Sequence, residues 1–377
     1  MTNLMTTKVS ERGATIRMFG FLLVVLFFSA GNSLRAAESH PEGESKPEGV
    51  DVRAIILKHV LDSHEWHIAD FRGKHVSIPL PVIIYHERTW HFFLSSRFGH
   101  GYESYRGFRI AGDGPKNGRI IRVLDDGVTP DPNASFVLDL SITRNVLSII
   151  ISAIILCVTF TSVAKKYKSH GKHRVPEGIS GIIEPMILFV RDDIARQAIP
   201  EGKADKFIPY LLTLFFFIFF NNLLGLVPFF PGGANVTGNI SVALVLALFT
   251  FFTLHIFANK DYWNHIFNTP GVPLWLKVPV PLMPIIELVG VIIKPLVLTL
   301  RLFANISAGH MIILGFVCLI FVLGAKSSAL GYAISPLSVV FVVFMIFLKM
   351  LVAFIQAYVF TFFSALFFGM AVTEEHH

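Results

Sequence analysis

Long blocks of apolar residues fill most of the chain after residue 136 and restrict what it can fold into. A helix that crosses a bilayer needs about 20 predominantly apolar residues. The blocks cover residues 136–164, 209–230, 236–258, 284–323 and 336–372. They predict an all-α polytopic membrane region of five membrane helices. Because the last two blocks are about twice the required length, each should tilt strongly, bend or fold into a hairpin.

Composition excludes several classes of protein. Hydrophobic residues make up 53% of the 377 residues and charged residues 15%, whereas soluble domains have about 25% charged residues. A disordered, fibrous or disulfide-rich protein is excluded, and an ordinary soluble enzyme is disfavoured. The sequence contains no phosphate loop, nucleotide fingerprint or zinc-ligand spacing, so we expect no cofactor, no metal and no nucleic-acid partner. The net charge of +6 is better explained by membrane topology.

The first 36 residues have the pattern of an export signal. Lys8, Arg12 and Arg17 precede the apolar run 18–30, and small residues follow up to Ala36. The run is too short for a membrane span but suits the hydrophobic region of a signal peptide. We therefore predict a signal peptide over residues 1–36, with an uncleaved N-terminal anchor as the alternative.

Residues 37–136 are polar and are predicted to form a small exported domain. Residues 52–61 have the pattern of a short amphipathic helix. The runs 74–85, 106–111 and 119–124 alternate in polarity between Gly-rich breaks, which predicts a strand-rich unit. His64 and His67 raise the possibility of a metal site, but no further ligand pair with zinc-like spacing follows. Solvated or core histidines are the favoured interpretation.

Loop charges predict the topology of the membrane domain, residues 137–377. Residues 165–208 contain nine Lys and Arg residues, whereas residues 231–235 contain none and residues 324–335 contain one. The positive-inside rule places the first of these loops in the cytoplasm. The N-terminal domain should then lie outside a bacterial inner membrane and the C-terminus inside, an orientation that the signal peptide also implies.

The cytoplasmic loop includes an amphipathic segment. Ile179, Ile183, Ile187, Val190 and Ile194 recur at helical spacing. The pattern indicates a helix that lies on the membrane surface or, equally, a helix that packs on a partner.

Ionisable residues inside the last two apolar blocks are the strongest functional signal. Charges at the bilayer centre cost at least about 2.5–3.5 kcal/mol each and usually mark ion or proton pathways. The polar side chains in these blocks are Glu287, Lys294, Arg301, Asn305, His310, Lys349 and Gln356. The first four fall within one stripe of a helix, and the last two are seven residues apart on another helix.

Arg301 is the hardest of these residues to explain structurally. Lys294 and Lys349 could extend their amines to a membrane interface, and Glu287 could be a favourable acid at a helix start. Arg301, by contrast, lies deep within its block. Glu287 is the only carboxylate in residues 285–372 and lies about 21 Å away along a helix. A permanently charged guanidinium requires a partner, so we expect a carboxylate from another chain.

Four ordered motifs resemble subunit a of the F-type ATP synthase membrane sector. The segment KPLVLTLRLFAN at 294–305 resembles that family's signature around an intramembrane arginine. The segments SVAKK at 162–166, NLLGLVP at 222–228 and AFIQAYVF at 353–360 resemble its first, second and last membrane helices. The similarity extends over about residues 136–369.

The resemblance implies a stator ion channel. The last two helices would be strongly tilted against a rotating ring of c subunits, with b-type peripheral stalk subunits and the rest of the ATP synthase as further partners. Two offset proton half-channels would meet the ring, and Arg301 would be the essential residue that faces the ring carboxylate. Family positions associated with the proton path correspond to Glu287, Asn305, His310 and Gln356. The subunit would be non-catalytic.

The chain departs from the family pattern in two places. Lys349 occupies a position where the family usually has an acid or a histidine, often paired with the residue at position 310. Lys349 could titrate in the path or could be structural. The second departure is the domain 37–136, which exceeds the family's short N-terminal segment, and the family implies no role for it.

Two other classes of function fit the sequence less well. A self-contained secondary transporter usually shows internal repeats, and none is visible here. A membrane receptor that binds ligand through its exported domain would leave Arg301 unexplained. The proton is the default coupling ion, but a choice between proton and Na⁺ would depend on the c subunit.

Overall fold

A computed structural model of the chain describes residues 62–71, 74–112, 118–132, 134–170, 178–227, 229–267 and 282–373. The predicted signal peptide, the helix predicted at 52–61 and the proline-rich connection at 270–281 lie outside these residues.

The N-terminal region is strand-rich, as predicted. Its strands are β1 (Glu65–Phe71), β2 (Lys74–Pro79), β3 (Pro81–His86), β4 (Thr89–Leu94), β5 (Phe108–Ile110), β6 (Ile120–Arg122) and β7 (Leu138–Asp139), with a 3₁₀ segment at Ser95–Gly101. All pairings are antiparallel: β1 with β2, β5 with β6, and β3 with both β4 and β7. Alternate residues of β3, Val82 and Ile84, join Phe98 and Phe108 in a small apolar core.

The rest of the described chain is helical. The helices are α1 (Arg144–His170), α2 (Ile179–Leu188), α3 (Arg196–Ala198), α4 (Ile208–Leu224), α5 (Ile240–Phe257), α6 (Lys260–Phe267), α7 (Leu282–Lys326) and α8 (Ser328–Val372), with a π-helical segment at Phe189–Ala195 and a 3₁₀ turn at Ala204–Lys206. Four of them, α1, α5, α7 and α8, are long and apolar enough to cross a membrane, whereas α4 has 17 residues. The helical membrane region is confirmed, and the count of five spans stays a prediction.

The first membrane helix begins later than the hydropathy pattern indicated. Helix α1 begins at Arg144, eight residues after the predicted start at 136. The intervening residues include β7, which pairs with β3, and the amide of Leu140 donates to the carbonyl of Ile83 at 2.9 Å. These backbone bonds join the segment to the sheet, so it belongs to the strand-rich region rather than to a helix.

The last two apolar blocks form one antiparallel helical hairpin. Helices α7 and α8 have 45 residues each, which is about 67 Å of helix against a hydrocarbon layer of about 30 Å. Phe316 stacks on Phe341 with ring centroids 5.1 Å apart. Near the turn, a Cβ on Gly331 would lie 2.8 Å from the Cα of Gly324, so glycine permits the close approach. Neither block folds back on itself, because the turn comes between them.

The strand-rich region and residue 372 at the end of α8 lie at opposite ends of the helices. Trp66 of β1 contacts Phe230, which follows α4, with ring centroids 5.2 Å apart. At the other end, Lys203 Nζ donates to the carbonyl of Val372 at 2.8 Å. There, a Cβ on Gly369 would lie 2.0 Å from the carbonyl oxygen of Ala198, so a larger residue would separate α8 from α3.

The predicted amphipathic segment packs on the chain itself through its C-terminal half. Val190 and Ile194 are fully buried in the core of the membrane region, while Ile179 is 65% exposed. The ring of Phe189 lies 5.9 Å from that of Phe354 on α8. Of the two interpretations left open, packing explains this half of the segment, with the partner supplied by the same chain.

Candidate proton-path site

The polar residues singled out in the sequence all lie on the α7–α8 hairpin, but they differ in exposure. Glu287, Lys294, Arg301 and His310 are half-buried, Asn305 is exposed, and Lys349 and Gln356 are buried. The hairpin brings some of these side chains together and separates others, so that two polar clusters form on either side of Arg301.

Arg301 is held against α8 by an aromatic ring. Its guanidinium carbon lies 5.0 Å from the ring centroid of Phe363, a cation–π contact worth about 0.5–2 kcal/mol. No ion pair of Arg301 occurs within the described residues. On either side in sequence, Leu300 is 56% exposed and Leu302 is fully buried. Arg301 itself is half-buried, so part of its side chain lies at the surface of the hairpin.

A first polar cluster surrounds His310 and Lys349. The side chain of Lys349 runs over Gly309, where an added Cβ would lie 3.2 Å from Lys349 Cε. Lys349 is only 7% exposed and lies close enough to act electrostatically on His310. The ring nitrogens of His310 lie near backbone oxygens, with Nε2 3.3 Å from Gly225 and Nδ1 3.2 Å from Ile306. Lys349 thus lies inside the hairpin next to His310 rather than at an exposed end.

The loop after α4 extends this cluster with neutral polar side chains. Ser307 donates a hydrogen bond to the carbonyl of Gly238 at 3.0 Å, and Thr237 donates one to the side-chain oxygen of Asn222. The Asn222 amide nitrogen and both polar atoms of the Asn235 side chain are buried without a partner among the described residues. Buried polar atoms need hydrogen-bond partners, and water commonly meets that need.

Sequence reasoning missed these asparagines. The signal was present, because Asn221 and Asn222 interrupt an otherwise apolar block and ANVTGN follows at 234–239. What the sequence lacked was the fold of the loop, which brings Gly225 against His310 and Gly238 against Ser307.

A second polar cluster lies toward the other end of α7. Lys294 Nζ lies 5.4 Å from the ring centroid of Phe367. Lys294 and Tyr262 line a small cavity together with His255 of α5. The buried hydroxyl of Tyr262 has no hydrogen-bond partner among the described residues. Glu287 lies seven residues before Lys294 on the same helix, about two turns toward its start.

Arg301 separates the two clusters along α7. It follows Lys294 by seven residues and precedes His310 by nine, which correspond to about 10 Å and 14 Å of helix. Gln356 is buried on α8, and Asn305 faces outward one turn beyond Arg301. Within the described residues, no three His, Cys, Asp or Glu side chains come together as metal ligands. The arrangement suits proton exchange through hydrated groups on two sides of a fixed cation.

The surface around Arg301 is apolar. On α7, Leu296, Val297 and Leu300 next to Arg301 are between 45% and 56% exposed, and further along the hairpin Phe347 and Leu351 on α8 are 65% and 59% exposed. In a membrane this surface meets lipid or another apolar protein.

Comparison with known proteins identifies the family. The family model described as ATP synthase A chain matches residues 146–369, and a domain of unknown function (DUF8433) matches residues 55–140. ATP synthase subunit a of Chloroherpeton thalassium is 41% identical over 244 residues, which are 63% of this chain and 69% of that protein. ATP synthase subunit a of Myxococcus xanthus is 39% identical over 246 residues, or 64% of this chain and 76% of that protein. The chain belongs to the ATP synthase subunit a family and carries an additional strand-rich region before its membrane helices.

Proposed function

We propose that this chain is the proton-channel subunit of the stator of a rotary ATP synthase in a bacterial inner membrane. The observation that carries the proposal is the position of Arg301 at the hairpin surface, between two polar clusters. As a member of a non-catalytic family, the subunit would move protons and leave ATP chemistry to the rest of the complex.

In the proposed mechanism the two clusters are the ends of two half-channels. Protons enter through the cluster of His310 and Lys349 and leave through the cluster of Glu287 and Lys294, or the reverse during hydrolysis. A carboxylate of the c-subunit ring carries the proton from one cluster to the other as the ring rotates. The fixed charge of Arg301 favours the ionised carboxylate as it passes and blocks direct proton transfer between the clusters. The membrane potential contributes about 2.3 kcal/mol per charge per 100 mV.

The hairpin has the shape and surface that a ring contact requires. Helices of about 67 Å cannot stand upright in a bilayer, so α7 and α8 would lie strongly tilted. Their apolar surface around Arg301 would then follow the curved wall of the c ring. Asn305 lies on the same surface, and Gln356 lies behind it. The b-type stalk subunits would hold the assembly against the torque of the ring.

Co-isolation tests the proposal against the transporter alternative. Affinity purification of the tagged chain from native membranes in mild detergent should recover c subunits and ATP-hydrolysing activity. We expect this association because the carboxylates of the ring complete the proton path between the two half-channels. A self-contained carrier would instead purify alone and would transport its substrate in proteoliposomes. That result would overturn the proposal.

The orientation makes a separate prediction. Protease added to the outer face of spheroplasts should cut within residues 38–135 and should leave residues 165–208 intact, because the nine positive charges hold that loop in the cytoplasm. Mass spectrometry of the released peptides is the measurement. Inverted vesicles are the control, since they should show the opposite pattern. Cleavage of residues 165–208 from outside would contradict the proposed topology.

A further inference from the structure

The strand-rich region is bonded directly to the start of the first membrane helix. The amide of Arg144 donates to the carbonyl of Ser63 at 2.9 Å, and the amide of Asn145 donates to Asp62 Oδ1 at 3.1 Å. The carboxylate of Asp62 therefore caps the first turn of α1 from outside the helix, a favourable position for a negative charge. The exported region is packed on the membrane helices here, not tethered by a linker.

A buried histidine–carboxylate pair lies at this junction. His64 Nε2 is 3.1 Å from Asp139 Oδ2, and Asp139 Oδ1 accepts a hydrogen bond from the amide of Ser141 at 2.9 Å. His64 is only 7% exposed. Asp62 and Glu65 are close to His64 in sequence, and Arg144 lies at the start of α1 beside Asp62.

Polar groups continue from this junction toward the proposed half-channel. Asn145, Ser148 and Ser152 recur at spacings of three and four on one face of α1, and all three are buried. Asn145 Oδ1 and Ser148 Oγ have no hydrogen-bond partner among the described residues, which favours hydration of this face. Trp66, two residues after His64, contacts Phe230 in the loop after α4, and Gly225 at the start of that loop lies beside His310.

We propose that the exported region supplies the outer entrance of the proton path, with His64 and Asp139 as the groups that exchange protons with the external water. This inference rests on the proposed function. The imidazole of His64 takes one proton from external water, and the Asp139 carboxylate stabilises the resulting imidazolium. The imidazolium then returns the proton to water along the polar face of α1. No other bond forms or breaks.

The charge state of Asp139 supports this role. Burial alone would raise the pKa of Asp139, but the hydrogen bond and charge of His64 and the bonds from Ser141 outweigh it and lower the pKa. Asp139 therefore stays ionised at neutral pH and keeps a negative charge beside the imidazole.

The test is passive proton conduction through the membrane sector in vesicles, measured against external pH. The variants are His64→Gln and Asp139→Asn, which keep hydrogen-bonding side chains but do not titrate. His100→Gln is the matched control, because His100 pairs with Glu65 at 2.9 Å and is exposed. In the His64 and Asp139 variants, conduction should depend on free protons alone and fall roughly tenfold per unit of rising pH. The native subunit and the control should show a shallower dependence.

Three results would overturn the inference. The first is that the His64 and Asp139 variants show the same pH dependence as the native subunit, and the second is that they lose the same fraction of conduction at every pH. The third is that His100→Gln shows the same steeper pH dependence as these variants. The second result would indicate a structural role only. Arg301→Ala measured in the same vesicles separates this inference from the proposed function. If Arg301→Ala blocks coupled synthesis while His64→Gln conducts normally, only the entrance assignment fails.

Discussion

Replacing Arg301 with alanine should abolish proton-driven ATP synthesis while the subunit remains inserted and assembled. The guanidinium contacts Phe363 at 5.0 Å and is in no ion pair within the described part of the chain, so its loss should disturb the hairpin little. Its charge, however, is the only fixed cation between the two polar clusters on α7. Without it, a ring carboxylate has no stabilising partner and the half-channels are no longer separated. ATP synthesis in energised membrane vesicles is the measurement.

Two further variants sharpen this test. Arg301→Lys should also fail, because an ammonium on a flexible stem lacks the planar fork of the guanidinium and can lose its proton. Arg196→Ala should retain synthesis, since Arg196 is 52% exposed, pairs with Asp192 and lines neither polar cluster. Recovery of the complete complex confirms assembly in each case. Normal synthesis in Arg301→Ala would refute the channel assignment.

Replacing Lys349 with methionine should slow proton flux and shift its dependence on pH. Lys349 is buried over Gly309 and acts on His310. Two positive charges in one buried site repel each other, so we expect the pair to exchange a proton rather than to keep both charges. Methionine keeps most of the length and the apolar character of the side chain and removes the titratable amine. Flux through the membrane sector, recorded over a range of pH, measures the effect.

Lys349→Glu should behave differently from Lys349→Met. A carboxylate at position 349 recreates the acid–histidine pair that is usual in the family, so this variant should retain substantial flux. Lys326→Met is the control, because Lys326 is exposed at the end of α7. Native flux and native pH dependence in both Lys349 variants would show that this residue is structural.

The sequence identified the individual charged residues of the site better than it identified how they are grouped. The charges within the last two blocks were recognisable because lipid makes an ionisable side chain costly. Their grouping was not, since Lys349 meets Gly309 only through the hairpin and Lys294 meets Tyr262 at one cavity only through the packing of α6 on α7. The asparagines of the loop after α4 were missed for the same reason.

By itself, the sequence determined where membrane helices form, which loop is strongly positive and which charges lie among apolar residues. The physical reason is local: a backbone in lipid must satisfy its own hydrogen bonds, so a long apolar block becomes a helix. The tertiary structure alone decided that residues 138–139 form a strand, that Arg301 separates two polar clusters, and that His64 meets Asp139 across 75 residues of chain. These features depend on contacts between distant segments, whose partners a linear pattern does not name.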